Sequence, residues 1–431
     1  MSESTPTVTP HPSTTAGSAR AYLATTSGAD AVRWLRAHPD LGGALVFGVL
    51  AAAVYLWTSD RDRQELDYFV RLADAFLHGR LYVTEAPSWL NELIPAGPGR
   101  WYVAYPPLPA ILLMPIVAVF GTGIHQQIPS AILGGAAVAL AWLAFGRFVL
   151  TPIARVWLTA AFGFGTVLWY VAEGASVWYF AHVVAVLFSL GALIFVLDRR
   201  WPLLAGFLLG CAAFSRLPVG LAAPAFLMLA LGIGWPLRLP EDRRAAMRTT
   251  ILFGIGIAVP LGAYALYNIV RWGTLTDQGY TLIPGVLEDP IYVDHGILSI
   301  HYIPRNLYAM FFRSWNYVDQ APYLQPSWWG LSLFLTTPLY LWLAKGRLRD
   351  PRVFASVIGI VLVSLPILTH GNVGITQFGY RFSLDFQVLL FVILATVFER
   401  GMSRLAMVAA GLGIVFCAYA IWAIGIDFVA F

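Results

Sequence analysis

Ser59-Asp-Arg-Asp-Arg-Gln-Glu-Leu-Asp-Tyr-Phe-Val-Arg-Leu-Ala-Asp-Ala-Phe-Leu-His-Gly-Arg80 is a carboxylate-rich segment placed directly behind the first hydrophobic stretch of the chain. Leu66, Phe69, Val70, Ala73, Phe76 and Leu77 recur at helical spacing, and Arg63, Asp67, Arg71, Asp74 and His78 fall on the opposite face. Ser59 is placed to act as N-cap, and Gly79 stands where a helix C-terminus accepts positive φ. The pattern predicts an amphipathic helix along a membrane surface, apolar side in lipid and acids toward water.

Working outward, the 431 residues are 58% hydrophobic and 12% charged, against about 25% charged in soluble domains. Apolar runs of roughly 20 residues recur, each long enough to cross a bilayer. The chain therefore reads as an all-α polytopic membrane protein. Its net charge of +4 is carried by arginine, with Lys345 the single lysine. No basic run or nucleic-acid motif accompanies that charge, so no nucleic-acid partner is expected. Cys211 and Cys417 lie inside apolar runs, which argues against disulfides and thiolate metal sites. Residues 1–40 read as a disordered cytoplasmic tail, rich in Ser, Thr, Pro and Ala in its first thirty positions. The tail lacks the apolar core of a signal peptide, so the first span is expected to remain as an anchor.

The expected spans are 41–58, 127–146, 156–171, 176–197, 202–214, 217–235, 249–269, 328–344, 353–369, 383–399 and 405–427. Segment 106–120 is apolar but short, with prolines at 106, 107, 109 and 115. If it does not cross and the N-terminus is cytoplasmic, the basic loops 147–155, 199–200, 238–248, 345–352 and 400–404 all fall inside. The expectation is eleven spans, N-terminus in, with an interfacial or re-entrant helix at 106–120. Residues 41–431 then form one transmembrane domain whose outer loops are 59–126, 270–327 and 370–382.

Most candidate chemistry lies in those outer loops. Asp60, Asp62, Glu65, Asp67 and Asp74 share the first, and Asp67 is flanked by Arg63 and Arg71 at helical spacing, which favours its ionised form. The alternative is a solvated helix face with incidental ion pairs. Trp101, Tyr102 and Tyr105 suit either interface anchoring or stacking on a sugar ring. Glu173 opens a short turn, and His182 lies one turn into the next span. Arg216, between two apolar stretches, needs a partner or water; a phosphate and a structural ion pair both satisfy it. Arg305 and Arg381 add cations suited to phosphate, and Arg381 could pair with Asp385 if the segment is helical. Walker, HExxH, CxxC and Gly-x-Ser-x-Gly motifs are absent from the sequence. Neither a nucleotide, nor a metal, nor any other cofactor is expected.

Leu72-Ala-Asp-Ala-Phe-Leu-His-Gly-Arg-Leu-Tyr82, Tyr105-Pro-Pro-Leu-Pro109, Ser215-Arg-Leu-Pro218 and Gln377-Phe-Gly-Tyr-Arg-Phe382 together resemble the GT-C membrane glycosyltransferases. The resemblance is to bacterial members akin to protein mannosyltransferases and aminoarabinose transferases. It implies a GT-C-like bundle with interfacial helices in the first outer loop and a polyprenyl-phosphate sugar donor. It also implies hexosyl or pentosyl transfer, with inversion, to an unknown glycan, lipid or protein acceptor on the non-cytoplasmic face of a bacterial plasma membrane. An acidic general base in the first outer loop follows from the same likeness. The family's Asp-Glu pair has no direct counterpart, since Gln64-Glu65 stands nearby; Asp67 is favoured, then Asp60, then Glu65. Arg381, Arg216, Arg305, Glu173, His182, Tyr105 and Gln377 are the expected donor-phosphate and substrate contacts. The competing expectation is a transporter or lipid flippase, which would need ionisable or broken-helix sites near the midplane.

Overall fold

The computed structural model of the chain describes residues 37–59 and 66–428. Four of its α-helices begin at a side-chain cap, from Thr151, Asp242, Asp350 and Ser403. α1 spans Pro39–Thr58 and α2 Tyr68–Leu77. α3 (Leu108–Phe120), α4 (Gln127–Phe145), α5 (Pro152–Phe164) and α6 (Leu168–Gly174) follow. Thr151 caps α5, accepting from the Ala154 amide, with Pro152 in the first turn where its missing N–H costs nothing. Then come α7 (Val177–Leu197), α8 (Pro202–Ser215), a 3-10 segment Leu217–Ala222, α9 (Ala223–Leu231) and the 30-residue α10 (Arg243–Trp272), capped by Asp242. Past a long loop lie α11 (Ile303–Phe311), the four-residue α12 (Leu333–Thr336), α13 (Pro351–Thr369), α14 (Leu384–Phe398) and α15 (Arg404–Gly425).

Seven helices are long and apolar enough to cross a membrane, α14 being counted with the 3-10 turn that leads into it (Arg381–Phe398), or eight if the bent pair α5–α6 is one span. The chain is a multi-pass membrane protein, but the eleven expected spans are not all continuous helices of spanning length. Segment 202–214 is α8, with 14 residues, and 217–235 divides between 3-10 and α9. Segment 328–344 departs furthest. It opens as a strand, continues as α12 and ends as a 3-10 helix, Pro338–Lys345. The strand β5 (Trp329–Leu331) pairs in parallel with β6 (Gln377–Gly379), which diverts the backbone from helical hydrogen bonding. Two antiparallel pairs, β1 (Leu93–Gly97) with β2 (Arg100–Val103) and β3 (Asn316–Tyr317) with β4 (Leu324–Gln325), also decorate the bundle.

The bend between α5 and α6 measures 44°. Opening a helix inside an apolar bundle frees carbonyls that must find donors. Tyr55 of α1 donates to the Gly163 carbonyl at 2.6 Å, and Thr337 to the Gly165 carbonyl at 2.8 Å. Side chains from distant parts of the sequence thus satisfy the break. α8 and α10 meet backbone to backbone: a Cβ on Gly206 would stand 2.1 Å from the Phe253 carbonyl, and one on Gly256 2.1 Å from that of Leu203.

The opening segment behaves differently from its sequence pattern. Ser59 ends α1, its amide bonded to the Tyr55 carbonyl, and α2 starts only at Tyr68. The α2 side chains Tyr68, Phe69, Val70, Leu72 and Ala73 are fully buried. They pack with Leu108, Ala110 and Leu113 of α3 and with Val177 and Phe180 of α7. The apolar face thus meets protein rather than lipid. Gly79 does take positive φ, at 68°. Segment 106–120 forms the 13-residue α3, about 20 Å long at 1.5 Å per residue, too short to span the hydrocarbon unaided.

Candidate active site

A cavity of about 790 Å³ opens between the first-loop hairpin, the 277–298 loop, the start of α7, the end of α13 and the segment that enters α14. Glu92, Tyr105, Trp178, Arg216, Asp277, Asp289, His370 and Arg381 are among its lining residues. Glu92 immediately precedes β1, and its backbone amide donates to the Tyr68 hydroxyl at 2.8 Å. The first residue of α2 therefore anchors it. On the other side, Trp178 in the first turn of α7 shares its indole N–H between Glu92 Oε2, at 3.0 Å, and the Tyr105 hydroxyl, at 2.7 Å. Burial pushes the Glu92 carboxyl up from the usual 4.5 to about 7, against the Trp178 hydrogen bond and the nearby Arg381 charge, which pull it down. A carboxylate poised near neutrality can take a proton from a bound hydroxyl.

Asp385, in the first turn of α14, is fully buried as a side chain. It receives Arg216 bidentately, Nη2 to Oδ2 at 2.9 Å and Nε to Oδ1 at 3.2 Å, and lies 2.9 Å from His182 Nδ1. Arg381 and Asp385 are therefore not partners. Residues 381–383 form a 3-10 turn, which breaks the i, i+4 geometry such a pair needs. Arg381 bonds instead to the Ile375 carbonyl at 2.7 Å. No carboxylate among the described residues lies within ion-pair distance of it. Its guanidinium stands 5.1 Å from the Phe382 ring centre, and that of Arg216 stands 5.6 Å from the same ring. His370 is held neutral, its pKa pushed down to about 4 by burial first and then by Arg216, Arg381 and Arg305. Arg381 is thus a buried cation in the cavity wall without an ion-pair partner among the described residues, next to aromatic surface.

The other expected site residues scatter. Tyr105 and Arg216 line the cavity, and His182 stands behind it through Asp385. Arg305 occupies a side hollow of about 230 Å³ that shares Ile291 and Asn372 with the main one, and donates to the Gly371 carbonyl. Gln377 is a structural brace, donating to the Val373 and Trp329 carbonyls. Glu173 is buried at the end of α6, outside the lining. Asp67 pairs with Arg71 at 3.1 Å, Arg71 reaches Glu85 at 2.8 Å, and Asp67 does not line the cavity. Asp60 and Glu65 lie outside the described residues. Among the described residues, no group of three or more His, Cys, Asp and Glu is placed to hold a metal.

Glu92 and His370 are the functional candidates to which the sequence reading gave no role. The signal for Glu92 was the Pro95-Ala-Gly-Pro-Gly99 turn behind it, which folds 93–103 into a hairpin and fixes the residue at its base.

These features define a class: polytopic helical membrane proteins with a loop-roofed cavity, lined by both carboxylates and arginines, beside the bundle. No family model matches the chain, and no curated protein matches it. Two solved structures do, each over 88% of this chain. One is ArnT from Cupriavidus metallidurans bound to undecaprenyl phosphate, with a TM-score of 0.54 at 13% identity. The other is ArnT from the same organism in the apo state, with a TM-score of 0.50 at 14% identity. The match takes in 64% and 63% of those chains, so this chain spans just under two thirds of their length. The fold is the one the GT-C resemblance implied.

Proposed function

We propose that this protein is a membrane glycosyltransferase that moves a sugar from a polyprenyl-phosphate carrier to an acceptor hydroxyl. The observation that carries this reading is the pairing, in one cavity, of a carboxyl whose pKa is pushed up to about 7 and a buried arginine without an ion-paired carboxylate among the described residues. A phosphate leaving group needs the second, and an acceptor needs the first. The undecaprenyl phosphate bound to the fold neighbour supports the carrier class.

In the proposed step Glu92 removes the proton from the acceptor hydroxyl. The oxygen attacks the anomeric carbon, the bond from that carbon to the phosphate oxygen breaks, and its electron pair leaves with the carrier phosphate. Arg381 stabilises the departing charge, while Asp385 and His182 position Arg216 beside it. A single displacement inverts the anomeric centre. The reaction face is the non-cytoplasmic one of a bacterial plasma membrane, with the N-terminus inside, which keeps the basic loops cytoplasmic. Asp67, Asp60 and Glu65 remain the rival bases in the first loop.

The test is transfer from a panel of radiolabelled polyprenyl-phosphate sugars in proteoliposomes, comparing wild type with Glu92→Gln, Asp67→Asn, Asp60→Asn and Glu65→Gln. Loss of a factor of about 10² to 10⁴ in Glu92→Gln alone is expected for a missing general base. Full activity in that variant moves the base to whichever first-loop carboxylate fails. Absence of transfer from every donor, with a control enzyme active, removes the reading and returns weight to lipid translocation.

A further inference from the structure

Away from the cavity, at the opposite ends of α13 and α14, a second hollow of about 460 Å³ lies between residues 342–350 and 396–403. Four cations line it: Lys345, Arg347, Arg349 and Arg400. The acids beside them are already engaged. Arg352 holds Asp350 at 2.8 Å and Glu399 at 2.7 Å. Among the described residues, none of the four lining cations has a carboxylate within ion-pair distance. A hollow with four uncompensated cations is built for an anion carrying more than one acceptor oxygen.

What surrounds it selects among anions. Ser403, on the rim, caps α15. From there Leu405, Val408, Leu412 and Val415 stand exposed at spacings of three, four and three, a single apolar stripe on the outside of the bundle. Trp342 closes the hollow, as an interfacial aromatic does. A ligand that fills both features has a phosphate head and hydrocarbon tails. α13 has 19 residues, about 28 Å at 1.5 Å per residue, and runs from beside this hollow to His370 in the main cavity. That length matches the hydrocarbon thickness of roughly 30 Å, so the two sites face opposite leaflets.

We infer that this hollow binds the phosphodiester headgroup of an anionic phospholipid in the leaflet opposite the cavity, with the acyl chains lying along the α15 stripe. The site is separate from the proposed donor pocket and does not depend on glycosyl transfer.

The full chain, purified in a neutral detergent, is tested by native mass spectrometry and thermal unfolding with dioleoyl-phosphatidylglycerol, dioleoyl-phosphatidylcholine or inorganic phosphate. Wild type is expected to retain phosphatidylglycerol and to unfold at a higher temperature with it, and to do neither with the other two. The triple variant Arg347→Gln/Arg349→Gln/Arg400→Gln is expected to bind it at least tenfold more weakly. The control triple Arg243→Gln/Arg244→Gln/Arg248→Gln, on an exposed basic stretch outside the hollow, is expected to match wild type. Equal weakening in both triples would mean general surface charge and overturn the inference. Inorganic phosphate competing as well as the lipid would overturn it in favour of a soluble anion, as would no preference over phosphatidylcholine. If the hollow triple fails to fold, Arg400→Gln alone is expected to weaken binding several-fold, and wild-type affinity in that variant overturns the proposal.

Discussion

Glu92 owes its raised pKa to burial, and two opposing influences limit the rise: the Trp178 indole and the Arg381 charge. On the proposed mechanism the working form is the carboxylate, so activity should fall about tenfold per pH unit below roughly 7 and level off above it. Trp178→Phe removes a hydrogen bond that favours the charged form. The midpoint of its pH–rate profile should therefore move to higher pH, by up to about one unit if the bond is of ordinary strength; an unmoved or acid-shifted midpoint would assign the profile to another group. Arg381→Lys keeps the charge but loses the planar fork. It should raise the KM for donor more than it lowers kcat, as steady-state kinetics would show. Asp385→Asn leaves Arg216 without a counter-charge in a mostly apolar setting, and breaking a buried pair costs about 3–5 kcal/mol; a thermal unfolding scan should show the drop. At this scale the sequence was partly legible. Arg216, Arg381 and Tyr105 stood out as cations and an aromatic near apolar runs, and they line one cavity. Glu92 did not stand out, because its importance comes from Tyr68 and Trp178, which lie 24 and 86 positions away. Asp67 drew attention through local spacing, and local spacing is what its bond to Arg71 reflects.

Among the helices, the contact of α8 with α10 has the least tolerance. Gly206→Val would drive a branched side chain into the Phe253 carbonyl, and the two helices would have to separate. Reduced yield of monodisperse protein and a lowered unfolding temperature are expected, whereas Gly254→Val, which faces open space, should behave as wild type. Helix existence was readable from apolar run length, and seven of the eleven expected spans are helices long and apolar enough to cross a membrane. The interruptions were not readable. The bend at Gly165 is held by Thr337, and the strand at 329–331 exists because residues 377–379 lie beside it. Both depend on partners far along the chain, and no window of sequence contains them. The amphipathic signal of α2 was real, but periodicity gives a face and not the identity of what covers it. Here α3 and α7 cover it.

For the molecule as a whole, composition alone separated this chain from soluble proteins. The order of weak motifs pointed to a fold that the ArnT structures share. The charge of the loops gives an orientation that can be checked directly: single cysteines introduced near Arg347 and near Thr281 should label from opposite sides of sealed vesicles. A buried guanidinium without a counter-charge has a temporal consequence as well. On the proposed mechanism, whatever phosphate settles against Arg381 relieves the cost of burying it, and a spent carrier would bear more charge on that group than the sugar-loaded one did. The product should therefore outstay the substrate. Turnover would then be paced by departure of the empty lipid, and initial rates would decline early in closed vesicles until the carrier is drawn off by some other process.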